Sequence, residues 1–226
     1  MKQQKRVAAG RKRPKLSDWL ELQFSPRKRI DGLWIGIGGG HQGQQERLLA
    51  RVGAALDLIK RWDRPRYDRL NRDLKGVWVR AIPYGLGTYN EALAACELDA
   101  RFVLAESSPL EIIAATIVHE ATHLRLVRCG IGYDEPLRAR VEAVCYRREL
   151  AFAAKLPNGE RVKQLAERSL ERSAAPGFLS DTEHDQRHAD GSLEILRQAG
   201  VPDWLLRGLI AARAMRLRIK KRLRRR

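Results

Sequence analysis

The stretch that decides the fold is residues 107–130, "SSPLEIIAATIVHEATHLRLVRCG". A mostly apolar segment of this length predicts a long, largely buried helix. Ser108, Pro109 and Glu111 predict where it begins, with Ser108 as N-cap, Pro109 at the first helical position and Glu111 completing a capping box. The pair Cys129-Gly130 predicts its end, because glycine readily adopts the left-handed conformation that terminates helices.

Three chemically active side chains interrupt this apolar helix: His119, Glu120 and His123. Residues four apart lie on one face of a helix, so the two imidazoles can reach a single metal ion. Glu120 is rotated by about 100° from His119, which lets it take a proton from a metal-bound water without ligating the ion. The alternative is a pair of surface histidines on an amphipathic helix. A buried polar trio is costly without partners, so the pattern favours a metal site.

The motif "HEATH" (119–123) resembles the zinc-binding helix of the zincin metallopeptidases, and the resemblance covers about residues 101–155. It implies a zinc ion (Zn²⁺) held by His119 and His123, with Glu120 as the catalytic base. In zincins a strand that runs past the zinc usually binds the substrate backbone by adding it to the sheet. The resemblance implies that "RFVLA" (101–105) is this edge strand.

The resemblance also narrows the choice of the third zinc ligand. A metzincin would need glycine and histidine where this chain has Leu126 and Cys129. A gluzincin takes a glutamate from the following helix, and Glu142 lies nineteen residues after the second histidine, in a helix that Asp134 should cap. We therefore expect Glu142 as the third ligand. The alternatives that remain open are Glu149, Glu135 and, as in aspzincins, Asp134.

A hydrolytic site also needs a group that stabilises the negative charge developing on the substrate's carbonyl oxygen. Tyr146 lies one turn after Glu142 on the same face of the predicted helix, and we assign it as the second catalytic residue. Tyr133, in the loop between the two helices, and His184, in a polar segment, are alternatives.

The remaining sequence predicts an α+β fold, a mainly helical zincin-like domain with a small sheet next to the histidine helix. Runs of β-forming residues predict strands at 33–37, 77–82 and 101–105. The segment 83–90 is predicted to be a loop, and 174–192 to be polar and irregular. Other helices are predicted at about 44–62, 63–74, 90–98, 134–154 and 161–172, and from about Asp203 onward.

The net charge of +17 is concentrated at the two ends of the chain. Residues 1–29 carry ten Lys and Arg against two acids, and residues 207–226 carry ten against none, which leaves 17 − 8 − 10 = −1 for residues 30–206. This distribution predicts a basic flexible N-terminal arm (1–29), a zincin-like metallopeptidase domain (30–206) and a basic C-terminal helix or tail (207–226).

The C-terminal segment "DWLLRGLIAARAMRLRIKKRLRRR" (203–226) has the pattern of an amphipathic helix. We expect its first half, around Trp204, to dock on the core and its basic end to project into solvent. The two basic arms together predict weak, sequence-independent nucleic-acid binding that falls as salt rises and is mostly lost on deleting 216–226. An anionic membrane surface is the rival partner. The sequence does not indicate an oligomeric state.

Two further motifs are interpreted as ordinary structure. Gly38, Gly40 and Gly43 match a dinucleotide-binding fingerprint, but no acidic residue ends a second strand about twenty positions later, which favours a flexible turn. His184 and His188 are also four apart, in "EHDQRH", without the capping and periodicity that support the first pair. A solvated polar segment is therefore favoured there over a second metal site.

Two functions compete for this sequence. The first is a cytoplasmic zinc metallopeptidase that hydrolyses peptide bonds of an intracellular protein or peptide. The second is a non-catalytic zinc-containing nucleic-acid-binding or scaffolding protein, whose ion would need a fourth protein ligand such as Cys129 or Cys145. These and Cys96 are an odd, widely spaced set, which favours free thiols over disulfides. No apolar run is long enough to cross a bilayer.

Overall fold

The computed structural model describes residues 13–39 and 43–223. The fold is α+β and mainly helical, as the sequence predicted. Its helices are α1 (Leu16–Phe24), α2 (Gln45–Trp62), α3 (Arg64–Asp73), α4 (Ala100–Leu104), α5 (Leu110–Arg128), α6 (Glu135–Ala153), α7 (Glu160–Ala174), α8 (Asp181–Gln198) and α9 (Asp203–Leu223). Its strands are β1 (Arg27–Ile30), β2 (Leu33–Ile37), β3 (Gly76–Arg80), β4 (Gly87–Asn90) and β5 (Ala95–Asp99). Within these ranges, no helix has both the length and the apolar content needed to cross a bilayer.

The five strands form one mixed sheet in the order β1-β2-β3-β5-β4. Strands β2, β3 and β5 are parallel, whereas β1 and β4 run antiparallel to their neighbours at the two edges. Because side chains alternate between the faces of a sheet, the register row Ile35–Val77–Cys96 faces one side and the row Gly36–Trp78–Glu97 faces the other.

The core lies on the first of these faces. Val77 and Val79 of β3 belong to one buried cluster with Ile113 and Ile117 of α5, and α2 contributes its predicted apolar stripe to the same cluster. Helix α1 packs on the opposite face, where Leu22 is buried and lies against the Gly36 position. The histidine helix is therefore a central element of the structure, packed against the sheet by its apolar side chains.

At the two ends of α5, the predicted C-terminal signal is confirmed and the predicted N-terminal one is not. The N–H groups of Gly130 and Ile131 donate to the carbonyls of Val127 and Leu126 at 2.9 Å each, and Gly130 has φ +79°. This is a Schellman termination, as glycine at this position predicted. The predicted capping box is wrong, because the N-cap is Pro109 and no side chain caps the helix. Ser108 instead ends a turn, in which its N–H donates to Ala105 O at 3.0 Å.

The sheet beside α5 is built from different residues than the sequence predicted. The predicted strand 101–105 is wrong, because the Asp99 carboxylate accepts the N–H groups of Arg101 and Phe102 and so begins the short helix α4. The predicted helix 90–98 is also wrong, since its second half is the fully buried strand β5. The edge strand next to α5 is β4, which lies in the predicted loop 83–90.

The predictions for the N-terminal arm, for the segment 174–192 and for the docking of the last helix also need correction. Residues 16–30 are not a flexible arm, because they form α1 and the first strand of the sheet. The segment 174–192 is not irregular, since Ser180 caps α8 through the N–H of Glu183 at 3.3 Å. Helix α8 buries none of its side chains, so no buried apolar stripe marks it in the sequence. Helix α9 begins as predicted, but it docks through the buried Leu206, while Trp204 is 72% exposed.

Helix α6, which carries Glu142 and Glu149, is tied to the rest of the fold by a buried carboxylate. Asp63 caps α3 by accepting the N–H of Arg66, and its side chain is only 1% exposed. It also accepts a bond from the Arg66 guanidinium at 2.7 Å and from the ammonium of Lys155, just after α6, at 2.9 Å. One side chain therefore joins the α2–α3 junction to the end of α6.

We expect Asp63→Ala to lower the free energy of unfolding by about 2–3 kcal/mol, because it removes a helix cap and leaves the mostly covered Arg66 guanidinium, which is 12% exposed, without its carboxylate partner. Asp68→Ala in the same helix is the control, since the Arg64–Asp68 pair is 63% and 55% exposed and should contribute less than about 0.5 kcal/mol. Urea unfolding followed by circular dichroism measures both. Equal effects of the two substitutions would contradict this account.

The contribution of Asp63 should also depend on pH. Burial works to raise the pKa of this carboxyl, but the hydrogen bonds from Lys155 and Arg66 outweigh it and lower the pKa below its usual value. A carboxyl whose pKa is lower in the folded than in the unfolded state stabilises the fold above its unfolded pKa. The difference between the parent and Asp63→Ala should therefore be constant near neutral pH and shrink below about pH 4. A difference that grows on acidification would refute the assignment.

Candidate metal centre

Helices α5 and α6 pack against each other and bring three candidate ligand side chains together. His119 Nε2 lies 3.0 Å from His123 Nε2. The Glu142 carboxylate lies across from both, with one oxygen 3.2 Å from His119 Nε2 and the other 3.3 Å from His123 Nε2. All three side chains are less than a tenth exposed. The structure therefore places Glu142 where the sequence predicted the third ligand.

The size of this triangle suits a small divalent ion. Zinc binds imidazole nitrogen and carboxylate oxygen at about 2.0–2.2 Å, and tetrahedral geometry then separates neighbouring ligand atoms by about 3.4 Å. The separation of 3.0 Å between the two imidazole nitrogens, and those of 3.2 and 3.3 Å from these nitrogens to the two different oxygens of Glu142, are close to that value. Two imidazoles and one carboxylate are also a donor set that zinc accepts. The residues present therefore fit the ion that the resemblance implies.

Glu149 supports the first histidine from behind. Its carboxylate lies 2.5 Å from His119 Nδ1, the nitrogen on the far side of the ring from the one that faces Glu142. A carboxylate that accepts the second N–H of a ligating histidine fixes its tautomer and orientation and raises its basicity as a ligand. Glu149 is thus placed to orient His119, and Glu142 to ligate.

Two tyrosines hold His123 and Glu142 in place. Tyr89 of β4 stacks on the His123 ring, with centroids 5.1 Å apart and 16° between the planes. Tyr133, in the loop before α6, meets His123 edge-on at 5.2 Å, and its hydroxyl donates to Glu142. The ring of His123 is therefore enclosed by two aromatic side chains, one from the sheet edge and one from the loop.

The Glu120 side chain extends from α5 toward the edge strand β4. It is 6% exposed. A Cβ atom built at Gly87 of β4 would come within 3.2 Å of Glu120 Cγ and 2.8 Å of Thr116 Cγ2. Only glycine lets the strand approach the helix this closely. Gly87 therefore places the backbone of β4 directly beside the predicted catalytic carboxylate.

The electrostatics of the site couple the two histidines to the surrounding carboxylates. Burial acts to lower the pKa of His119, but Glu142 and Glu149 outweigh it and raise the pKa well above its usual value. The same histidines hold the pKa of Glu142 far below its usual value although burial opposes this. Burial raises the pKa of Glu120. The charges of Glu142 and Glu149 raise it further, whereas the two histidines act to lower it. Positive charge is thus favoured at the centre of the triangle.

Cys145 is the other side chain near enough to compete for the ion. Its Sγ and the donor atoms of the two histidines all lie within 4.8 Å of one another, and this trio is the metal-capable His/Cys/Asp/Glu group found within residues 13–39 and 43–223. Glu142 is the better placed of the two, because its oxygens approach both Nε2 atoms at 3.2 to 3.3 Å. The Cys145 thiol, three residues further along α6, is the competing third ligand.

Of the remaining sequence candidates, only Tyr146 has a contact with a ligating side chain within the described part of the chain. Tyr146 packs edge-on against His119, with centroids 4.8 Å apart. Glu135 is occupied elsewhere, since its carboxylate accepts the N–H of Asp181 at 3.1 Å. His184 packs against Tyr84 rather than against the two ligating histidines. Gly40, in the middle of the glycine motif, lies outside the described residues.

Sequence reasoning missed the contribution of the edge strand, Gly87 and Tyr89. The only local signal was the pair Thr88-Tyr89, two good β-formers inside a segment whose glycines and proline otherwise indicate a loop. Their role depends on the pairing of β4 with β5, a contact that no local pattern specifies.

Comparisons of this chain with protein-family models, with curated proteins and with solved structures gave no match. The relationship to zincins therefore stays a hypothesis from the sequence. The assignment of the site rests on its own geometry.

We expect the purified protein to bind one zinc ion per chain, with His123→Ala and Glu142→Ala each abolishing it. Glu149→Ala should weaken binding by about 10- to 100-fold, because it removes only the support of a ligand. Competition with a chromophoric chelator measures these affinities.

Glu135→Ala is the matched control, because Glu135 is on the same helix with its carboxylate engaged by Asp181. It should bind zinc as the parent does. Full affinity in Glu142→Ala, together with loss in Glu149→Ala, would show that the third ligand is misassigned.

Proposed function

We propose that this chain is a zinc-dependent metallopeptidase of gluzincin type. The observation that carries the proposal is the triangle of His119, His123 and Glu142 ligand atoms, with Glu120 on the same helix beside an edge strand. These are the parts that metal-assisted peptide hydrolysis needs: three protein ligands, a base next to them and a place for an extended substrate.

A zinc ion bound by the three ligands would polarise the scissile carbonyl and lower the pKa of the attacking water. Glu120 would then accept the proton of that water and deliver it to the leaving amine. The low exposure of Glu120 strengthens its interaction with a nearby proton donor, because little water competes. Tyr146 or Tyr133 would donate to the developing oxyanion, and both lie against the ligating side chains.

The edge strand offers a way to hold a peptide. Asp99 N–H donates to Leu86 O at 3.0 Å, which marks Leu86 and Asp99 as a hydrogen-bonded pair. Because such pairs alternate along antiparallel strands, Gly87 and Tyr89 direct their N–H and C=O groups away from β5. In the described part of the chain, β4 pairs only with β5. An extended peptide added to this edge would lie beside Glu120 and His123, as substrate binding by β-addition requires.

A second candidate function follows from Cys145. If its thiol joined the three ligands, the coordination shell would be closed, and closed shells are typical of structural zinc. The ion would then stabilise the α5–α6 pair in a scaffolding or nucleic-acid-binding protein. Cys145→Ser distinguishes the two functions, since it should leave zinc affinity unchanged in the peptidase and lower it in the structural protein.

The substrate class that we propose is an intracellular protein or peptide, with a cytoplasmic location. The basic C-terminal segment remains a candidate for weak nucleic-acid binding. Helix α9 ends in it, and Arg213 on the same helix donates to Asp185 O of α8 at 3.0 Å, which joins α9 to α8. The loss of affinity on deleting 216–226 stays a prediction.

We expect Glu120→Gln to retain zinc while its rate of peptide cleavage falls by about 100- to 10,000-fold, the contribution of a general base. Cleavage is followed by mass spectrometry of a mixed peptide library. Glu111→Gln is the control, because it makes the same change in the first turn of the same helix and should leave the rate unchanged. A fully active Glu120→Gln protein would rule out this mechanism.

A further inference from the structure

Helix α1 carries an uncovered apolar surface. Leu16, Trp19, Leu20 and Phe24 are 71%, 47%, 43% and 84% exposed. With about 100° between successive residues, these four side chains and Gln23 fill one continuous arc of about 140°. This arc, which we call the α1 apolar face, contains no charged residue. Four large apolar side chains on one short helix are unusual on a surface that meets only water.

The orientation of α1 is fixed by the side that faces the sheet. Arg80 of β3 pairs with Asp18 at 3.0 Å and with Glu21 at 2.7 Å, and Leu22 is buried. A Cβ atom at Gly38 would come within 2.5 Å of the Glu21 carboxylate, so the helix lies close to the sheet. Both acids of α1 therefore point toward the sheet. The apolar face points outward, because it lies on the opposite side of the helix.

Basic side chains flank the α1 apolar face at both ends. Arg13 and Lys15 precede the helix, and Arg27 and Arg29 follow it in β1 on the α1 side of the sheet, whereas Lys28, in register with Ile35, lies on the other side. All five are exposed. Residues 1–12 add five further Lys and Arg to the sequence before the helix. The surface thus combines an aromatic and aliphatic centre with a positive rim and an acid-free face.

We propose that α1 docks this protein onto anionic lipid bilayers as an interfacial helix. Tryptophan, phenylalanine and leucine on one face enter the boundary between headgroups and acyl chains, and the lysines and arginines beside them contact anionic headgroups. Nucleic acid would use the basic rim but leave Leu16, Leu20 and Phe24 without a role. A second copy of the chain would bring two positive rims together. Lipid is the partner that uses both parts of the surface.

Docking of this kind leaves the candidate metal centre free. The α1 side of the sheet carries the row Gly36–Trp78–Glu97, and the opposite side carries Cys96, whose β4 neighbour Tyr89 stacks on His123. The sheet therefore separates the α1 apolar face from the ligating histidines. A membrane-docked protein would present its metal site on the side away from the bilayer.

Flotation with vesicles tests the proposal on the full chain. The parent should float with phosphatidylcholine vesicles that contain phosphatidylglycerol and stay behind with phosphatidylcholine alone. Replacing Trp19, Leu20 and Phe24 together by serine should lower the binding constant at least about tenfold. Trp204→Ser is the matched control, because Trp204 is an exposed tryptophan on α9, and it should float as the parent does.

A second variant, Arg13→Gln with Lys15→Gln, keeps the apolar face and should weaken binding by about fivefold for each charge removed. If circular dichroism shows that the triple serine variant does not fold, this double variant still tests the proposal. The proposal is overturned if the parent fails to float with anionic vesicles or floats equally with neutral ones. It is also overturned if the folded α1 variants float as the parent does, which would assign binding to another segment, or if the α1 apolar face instead forms a dimer in sedimentation velocity.

Discussion

The approach of the Glu142 carboxylate to two imidazoles on the neighbouring helix is the contact on which the rest of the site depends. Each of these groups is expensive to bury alone, and most of the other buried side chains of α5 are apolar. Placed 3.0 to 3.3 Å apart, they compensate one another and define a position for a cation. The Schellman turn after α5, the tyrosines around His123 and the Asp63–Lys155 tether all act to hold α6 at this distance.

This part of the structure could be predicted because its signals are local. The apolar run with His119 and His123 predicted the helix, and Gly130 predicted its end. Asp134 and Pro136 predicted the start of α6, which the structure shows at Glu135 with Asp134 in the N-cap position, although the Asp134 side chain makes no capping hydrogen bond. Two helices joined by a short loop commonly pack side by side, as α5 and α6 do. The spacing of Glu142 from His123 then places its carboxylate opposite the ligating face.

The sheet edge could not be predicted in the same way. "NEALAACEL" favours a helix by its alanines, but its second half becomes β5 because it is buried between β3 and β4. Asp99 ends that strand and caps α4, and this overrides the β-propensity of "RFVLA". Such outcomes depend on contacts between segments distant in sequence, which local propensity does not encode. Ser108 failed as a cap for a related reason, since the turn with Ala105 shifts the helix start.

The two faces of the sheet suggest a division of roles: the α5 side holds the candidate metal centre, and the α1 side presents an apolar and basic surface. The central claim concerns the first of these. Anomalous diffraction at the zinc edge from crystals of the full chain tests it most directly, because it locates the ion and counts its ligands. The account predicts one zinc with three protein ligands, His119, His123 and Glu142. An ion that also binds Cys145 sulfur at about 2.3 Å, or one that lies away from Glu142, would contradict it.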